Sequence, residues 1–188
     1  MTDAVHPSMR PSLEYDDRSY AACRAAFERL LSRHRDYEPT VVVETFGGRG
    51  GDTEIVQRIW PRVPHRTFEI DPATYAARRV VPDVDARLGP YQRQDLPERS
   101  LLIVNAGYTL TRHAAYEPFL QEDATWLTLT DHARPRLHLH RRTYGIGEAG
   151  TYGDYLQRVA ERLGRPVLDY EKVTHGPTHV LFGPRGEL

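Results

Sequence analysis

The sequence has few of the residues that form cross-links or membrane spans. Cys23 is the only cysteine among 188 residues, so an internal disulfide and a cysteine-rich zinc site are both excluded. Uninterrupted apolar runs are short, as at residues 41–43, whereas a membrane helix needs about 20 apolar residues. The N-terminus lacks the basic start and apolar stretch of a signal peptide. We therefore expect a cytoplasmic protein without a membrane span.

Lysine is nearly absent, and the charge is balanced. Lys172 is the only lysine, and 25 basic residues face 26 acidic ones, for a net charge of −1. This balance argues against broad, nonspecific nucleic-acid binding, although a local basic strip is compatible with it. The length predicts one domain. Residues 1–16 contain two prolines and no apolar period, which predicts a flexible tail before a single domain over residues 17–188.

Helical and strand patterns alternate along most of the chain. Apolar residues at helical spacing predict helices that begin near residue 17 and at residues 52, 73, 113 and 152. Short apolar or β-branched runs predict strands at 40–46, 66–70, 101–104, 126–130, 167–173 and 178–182. Asp71 before Pro72 is typical of a helix start. The pattern predicts an α/β fold, a mostly parallel sheet with helices on both faces and an antiparallel C-terminal strand.

A glycine-rich turn follows the first predicted strand. Residues 44–51 read Glu-Thr-Phe-Gly-Gly-Arg-Gly-Gly, and such a turn lets the backbone approach a ligand closely. A dinucleotide fingerprint that starts at Gly48 and Gly50 needs a third glycine at position 53, where Thr53 stands. This difference weakens a dinucleotide interpretation. Asp52 is the expected N-cap of the following helix.

The turn resembles the first motif of class I S-adenosylmethionine-dependent methyltransferases, and the likeness is closest to the nucleic-acid enzymes. Their motif runs acid-x-Phe-x-Gly-x-Gly-Gly, and its specified positions are filled here by Glu44, Phe46, Gly48, Gly50 and Gly51. The resemblance extends over residues 40–183. It implies a Rossmann-like methyltransferase fold with S-adenosylmethionine as cofactor. It also implies that Phe46, Gly47, Gly48 and Gly50 line the cofactor site.

The resemblance assigns roles to three acidic positions. Glu44, at the end of the first strand, is expected near the methionine ammonium of the cofactor. Glu69, at the end of the second, is expected to accept hydrogen bonds from the ribose hydroxyls, and it stands about 20 residues after Gly50, the spacing of a ribose-binding acid. The third position follows the third strand and lies near the adenine amino group. Either Asp85 or Asp95 fits it.

The catalytic position implied by the resemblance is Asn105-Ala-Gly-Tyr108. Nucleic-acid amino methyltransferases have Asn or Asp, two prolines and an aromatic residue here. The polar residue accepts hydrogen bonds from the target amine, and the ring stacks on the base. Asn105 and Tyr108 agree with this pattern, but both prolines are replaced.

The favoured function is therefore N-methylation of an amine, on RNA or DNA. A small-molecule methyltransferase is the enzymatic alternative. The replaced prolines also leave room for a catalytically silent subunit that binds a protein partner.

A basic strip lies further along the chain. Arg134, Arg136 and His138 alternate with other residues, so an extended backbone directs them to one face, where they are candidates to hold substrate phosphates. The alternative is a charged edge strand that prevents sheet pairing. His138 and His140 are two residues apart, but no carboxylate or cysteine stands at ligand spacing, so no metal site is expected.

Overall fold

The computed structural model describes residues 17–45, 50–89, 96–104, 125–131, 152–173 and 178–186. Four α-helices lie in these segments: α1 (Asp17–Arg33), α2 (Gly51–Ile59), α3 (Pro72–Ala76) and α4 (Tyr152–Leu163). The strands there are β1 (Val42–Thr45), β2 (His65–Glu69), β3 (Val84–Leu88), β4 (Ser100–Val104), β5 (Thr125–Asp131), β6 (Val167–Lys172) and β7 (Thr178–Phe182).

The seven strands form one sheet in the order β3-β2-β1-β4-β5-β7-β6. Neighbouring strands from β3 to β5 are parallel, whereas β7 runs antiparallel to both β5 and β6. The predicted fold class, a Rossmann-like sheet with an antiparallel C-terminal strand, is confirmed. The central strands β1 and β4 are buried along their length, as expected for parallel strands covered on both faces.

Two apolar clusters cover opposite faces of the sheet. Successive residues of β1 point to opposite sides, so Val42 packs against α1 and α2 while Val43 packs against α4. The first cluster includes Phe27, Leu30, Ile55, Val56 and Ile103, and the second includes Leu102, Leu127, Tyr155, Val159 and Phe182. The helices therefore lie on both faces, as predicted.

The strand order reverses between β1 and β4. From β1 the chain moves outward to β2 and β3, and β4 then starts the other half of the sheet. In open α/β sheets ligands bind at such a switch point, outside the carboxyl ends of the strands. The glycine-rich turn leaves β1 at this point, so the topology itself places the turn at the position where a ligand is expected.

Several boundaries differ from the predicted ones. Strand β3 was not among the predicted strands, because only Val84, Ala86 and Leu88 are apolar and two charged residues separate them. Helix α3 ends at Ala76, whereas the sequence pattern predicts a helix over residues 73–79. Helix α4 has its predicted bounds, and Gly164 after it has a positive φ of 64°. The helix predicted from residue 113 lies outside the described residues.

None of the helices in the described segments combines the length and the apolar character that crossing a bilayer would require.

Candidate functional site

Helix α2 starts at the glycine-rich turn. Gly50 is its N-cap and has φ +81°, a left-handed conformation that glycine adopts without the steric cost of a Cβ. The predicted N-cap, Asp52, is wrong: this residue lies in the first turn of α2. The reason is that the left-handed backbone at Gly50 lets the helix begin two residues earlier.

Glu44 turns its carboxylate into the protein beneath α2. The residue is only 1% exposed, and its Oε2 accepts a hydrogen bond of 2.6 Å from Oγ1 of Thr53. Nε2 of His65 lies 3.4 Å from the same oxygen. The parallel register pairs Glu44 with Thr67 and Val42 with His65, so these side chains share the face of the sheet that α2 covers.

A second carboxyl group lies close to Glu44. Burial, and then the negative charge of Glu44, raise the pKa of Asp52 to about 7, although Arg24 opposes the shift. The same region includes Cys23 of α1. Burial, followed by the charge of Asp52, raises the pKa of this thiol to about 11.

Side chains from α1 and from the segment after α3 also bind the first turn of α2. Arg24 of α1 donates from Nη2 to the carbonyl oxygen of Gly51 and to Oε2 of Glu54, both at 2.9 Å. Nη1 of Arg79 donates to Oε1 of the same carboxylate at 3.0 Å. Although burial acts in the opposite direction, these guanidinium groups lower the pKa of Glu54. Helix α1 and the segment after α3 are thus both tied to the start of α2.

Glu69 is the last residue of β2, as its predicted role requires. It is 7% exposed, and its Oε1 accepts a hydrogen bond of 2.9 Å from the backbone N–H of Asp71. Asp71 is the N-cap of α3, and its carboxylate accepts from the Thr74 N–H at 2.8 Å. The predicted N-cap is confirmed. Asp71 therefore caps α3, whereas Glu69, two residues before it, accepts a hydrogen bond from the Asp71 backbone.

Glu69 and Gly50 line one small cavity between β2, β3, α2 and α3. Its volume is about 50 Å³, enough for a few water molecules. Its other lining residues include Thr53, Thr67, Tyr75 and Arg79. The structure therefore brings the glycine turn and the acid of the second strand together, as the sequence spacing predicts.

Asp85 is placed differently from its predicted position after the third strand. It lies inside β3, where its carboxylate binds Arg87 at 2.6 Å and has Arg66 at 3.8 Å. The guanidinium of Arg87 holds the pKa of Asp85 below its usual range. Because β3 was not recognised in the sequence, its end was misplaced. Asp95, the other candidate for the adenine position, lies outside the described residues.

The other predicted site residues lie outside the described residues. These are Phe46, Gly47 and Gly48 of the turn, the catalytic candidates Asn105 and Tyr108, and the basic residues Arg134, Arg136 and His138. In the described part of the chain, no group of three or more His, Cys, Asp or Glu side chains is arranged to hold a metal ion.

Sequence reasoning did not assign site roles to three residues that the structure places here: Thr53, His65 and Arg79. Thr53 was visible only as a departure from a glycine pattern. His65 starts a strand without any motif, and Arg79 reaches the site only because the chain returns to α2 after α3. Their contacts depend on tertiary structure.

No protein-family model matches this chain, and no curated protein matches it in sequence. Solved structures do match it. PH1948 of Pyrococcus horikoshii, a proposed RNA methyltransferase, has a TM-score of 0.59 at 13% identity, covering 97% of this chain and 92% of that one. The PH0226 protein of Pyrococcus horikoshii OT3 has a TM-score of 0.59 at 12% identity, with 90% and 93% covered.

A larger enzyme shares the same core. Human N-acetylserotonin methyltransferase, solved in complex with S-adenosylmethionine, has a TM-score of 0.51 at 14% identity. The match covers 87% of this chain but 51% of that one, so this chain spans about half the length of the human enzyme. At such identities the likeness establishes the fold alone, which this chain shares with these structures.

Proposed function

We propose that this protein is an S-adenosylmethionine-dependent methyltransferase. The observation that carries the proposal is the shared cavity of Glu69 and Gly50. A glycine turn after β1 and an acid at the end of β2 lie together at the carboxyl ends of neighbouring parallel strands, beside the switch point of the sheet. The methyltransferase fold supports the proposal independently.

The residues at this cavity fit an adenosyl group. The carboxylate of Glu69 is suited to accept hydrogen bonds from two adjacent ribose hydroxyls, and its hydrogen bond to the Asp71 N–H holds it in place. Gly50 offers backbone without a side chain. The cavity of about 50 Å³ is much smaller than the cofactor, so most of the cofactor is expected to extend over the turn at residues 46–49.

The proposed reaction is methylation of an amine. When bound, S-adenosylmethionine supplies an electrophilic methyl group, which is transferred by in-line displacement. Asn105 is proposed to accept hydrogen bonds from the amine and so direct its lone pair, while Tyr108 stacks on a planar acceptor. Alignment of this kind supplies much of the acceleration in such a step, and the reaction requires no metal.

The proposed acceptor is RNA or DNA. Arg134, Arg136 and His138 are then the candidates to contact its phosphates. The alternatives are a small-molecule acceptor and a catalytically silent subunit. The acceptor class follows from transfer of a labelled methyl group into RNA, DNA and a small-molecule extract.

Calorimetry with S-adenosylmethionine tests the cofactor proposal. We expect the wild-type protein to bind and Glu69→Ala to bind about 10–100-fold more weakly, because a charged partner of two hydroxyls is lost. Glu171→Ala is the control, since this carboxylate of β6, at the opposite edge of the sheet, binds Arg29 and Arg33, and it should bind like wild type. Absence of wild-type binding, or equal binding by Glu69→Ala, contradicts the proposal.

A further inference from the structure

Thr53 uses its side chain at the position where a dinucleotide fingerprint has glycine. It is 2% exposed, and its hydroxyl donates to Oε2 of Glu44 over 2.6 Å. This is the short distance typical of a hydroxyl bound to a carboxylate, which makes the bond stronger than one between neutral groups. Thr53 therefore contributes a side-chain hydrogen bond that a glycine at this position would lack.

The Glu44–Thr53 hydrogen bond connects the two ends of the glycine turn. Glu44 lies in β1, Thr53 lies in the first turn of α2, and the turn at residues 46–50 runs between them. A bond across the ends of a loop removes conformations that the loop would otherwise adopt. The contact therefore ties the start of α2, where Gly50 lines the proposed cofactor cavity, to β1.

His65 is a second side chain that lies close to Oε2 of Glu44. Its side chain is fully buried, and Nε2 lies 3.4 Å from Oε2 of Glu44. Within the described residues neither ring nitrogen makes a hydrogen bond, so the contact is a close approach without hydrogen-bond alignment. Among the described residues, the carboxylate of Glu44 is thus oriented by the hydrogen bond from Thr53.

We propose that Thr53 is a positioning residue that acts through Glu44 to hold the start of α2, and with it Gly50, in the place that the cofactor requires. This inference rests on the proposed function. It also gives Glu44 a role other than the one that the resemblance implies: this carboxylate, which is 1% exposed, is proposed to fix the start of α2 from inside the protein instead of contacting the cofactor ammonium. Replacing its charge should therefore matter less than removing the Thr53 hydroxyl.

Three variants test this order of importance by calorimetry with S-adenosylmethionine at 15 °C. Thr53→Val keeps the shape of the side chain but loses the hydroxyl, and we expect about 10-fold weaker binding. Thr53→Ser retains the hydroxyl, and Glu44→Gln retains a carbonyl acceptor. Both should bind within about 3-fold of wild type. If Glu44→Gln weakens S-adenosylmethionine binding more than Thr53→Val does, Glu44 contacts the cofactor ammonium directly and the proposal is overturned.

A purely structural role for Thr53 predicts a different result. Thr53→Val would then lower Tm while the folded protein at 15 °C binds with unchanged affinity, and this result also overturns the proposal. Amide hydrogen exchange at residues 50–54 is measured on the same variants without cofactor. Faster exchange in Thr53→Val but not in Thr53→Ser supports the restraint, whereas equal exchange contradicts it. If wild type binds no cofactor, the proposed function fails, but exchange at residues 50–54 still decides whether Thr53 restrains the start of α2.

Discussion

Gly50 faces the backbone of Arg79. A Cβ built on Gly50 would lie 3.4 Å from the carbonyl oxygen of Arg79, so the segment after α3 packs directly against the start of α2. The side chain of Arg79 reaches back to Glu54 of the same helix at 3.0 Å. The missing side chain at Gly50 therefore serves close packing inside the protein as well as the proposed approach of a ligand.

Gly50→Ala should lower the free energy of unfolding by about 1–2 kcal/mol, because alanine is strained at positive φ. Gly186→Ala is the matched control, since Gly186 has φ +91° with nothing within 4 Å of its built Cβ. Urea unfolding should show a similar loss in both variants, but only Gly50→Ala should weaken S-adenosylmethionine binding. A Gly50→Ala protein as stable as wild type contradicts the left-handed N-cap.

Asp52 should make the protein less stable as pH rises. Burial and the charge of Glu44 raise its pKa from 3.8 to about 7 in the folded state. The folded protein therefore holds this proton more tightly than the unfolded chain, and the resulting stabilisation is lost as pH rises from about 4 to about 7. Asp52→Asn should raise the unfolding free energy at pH 8 by on the order of 1 kcal/mol and change it little at pH 4.

Asp169→Asn provides a control of opposite sign in the same pH series. Despite the opposing effect of burial, hydrogen bonds from Arg33 and His34 lower the pKa of Asp169. The stability contributed by Asp169 is present above its unfolded pKa and is lost as pH falls through the folded value. Asp169→Asn should therefore be less stable than wild type at pH 7, with a difference that shrinks in acid. Parallel pH profiles for the two variants would refute the assignment.

Cys23 should react slowly with thiol reagents. Burial and the charge of Asp52 raise its pKa from 9.0 to about 11, and the thiolate is the reactive form. At pH 8 the thiolate fraction is about 100-fold lower than that of an unshifted thiol. Labelling in native buffer should be slower than in urea by at least this factor, and Asp52→Asn should accelerate it. Equal rates in buffer and urea would contradict the shift.

Arg33 joins α1 to β6, and we expect its contribution to the free energy of unfolding to depend on salt concentration. Its Nε and Nη1 bind Asp169 and Glu171, each at 2.7 Å, and its side chain is 42% exposed. We expect Arg33→Met to cost about 1 kcal/mol at low salt and less at 1 M salt, because exposed charges are screened. Arg58→Met, which removes an ion pair with a single carboxylate, that of Glu28, should cost less. Urea unfolding at two salt concentrations measures both, and a cost independent of salt counts against the ion pairs.

The limits of sequence reasoning show in β3 and Asp85. Strands β1 and β4 carry adjacent apolar residues that point to both faces of the sheet, so the sequence alone identifies them. Strand β3 lies at the edge of the sheet, where charged residues are tolerated between the apolar ones. The strand pattern of β3 is therefore weak in the sequence. Asp85 was expected to follow the third strand, but it lies inside that strand.

The sequence by itself determined most of the described helices and strands, although not β3, together with the glycine turn after β1 and the acid that ends β2, because these depend on local backbone preference and short spacing. Tertiary structure alone decided that Glu44 turns inward to Thr53, that His65 approaches the same oxygen, and that Arg79 closes against Gly50. Each of these contacts joins separate secondary-structure elements. Its geometry follows from how strands pair and helices pack, which no local pattern encodes.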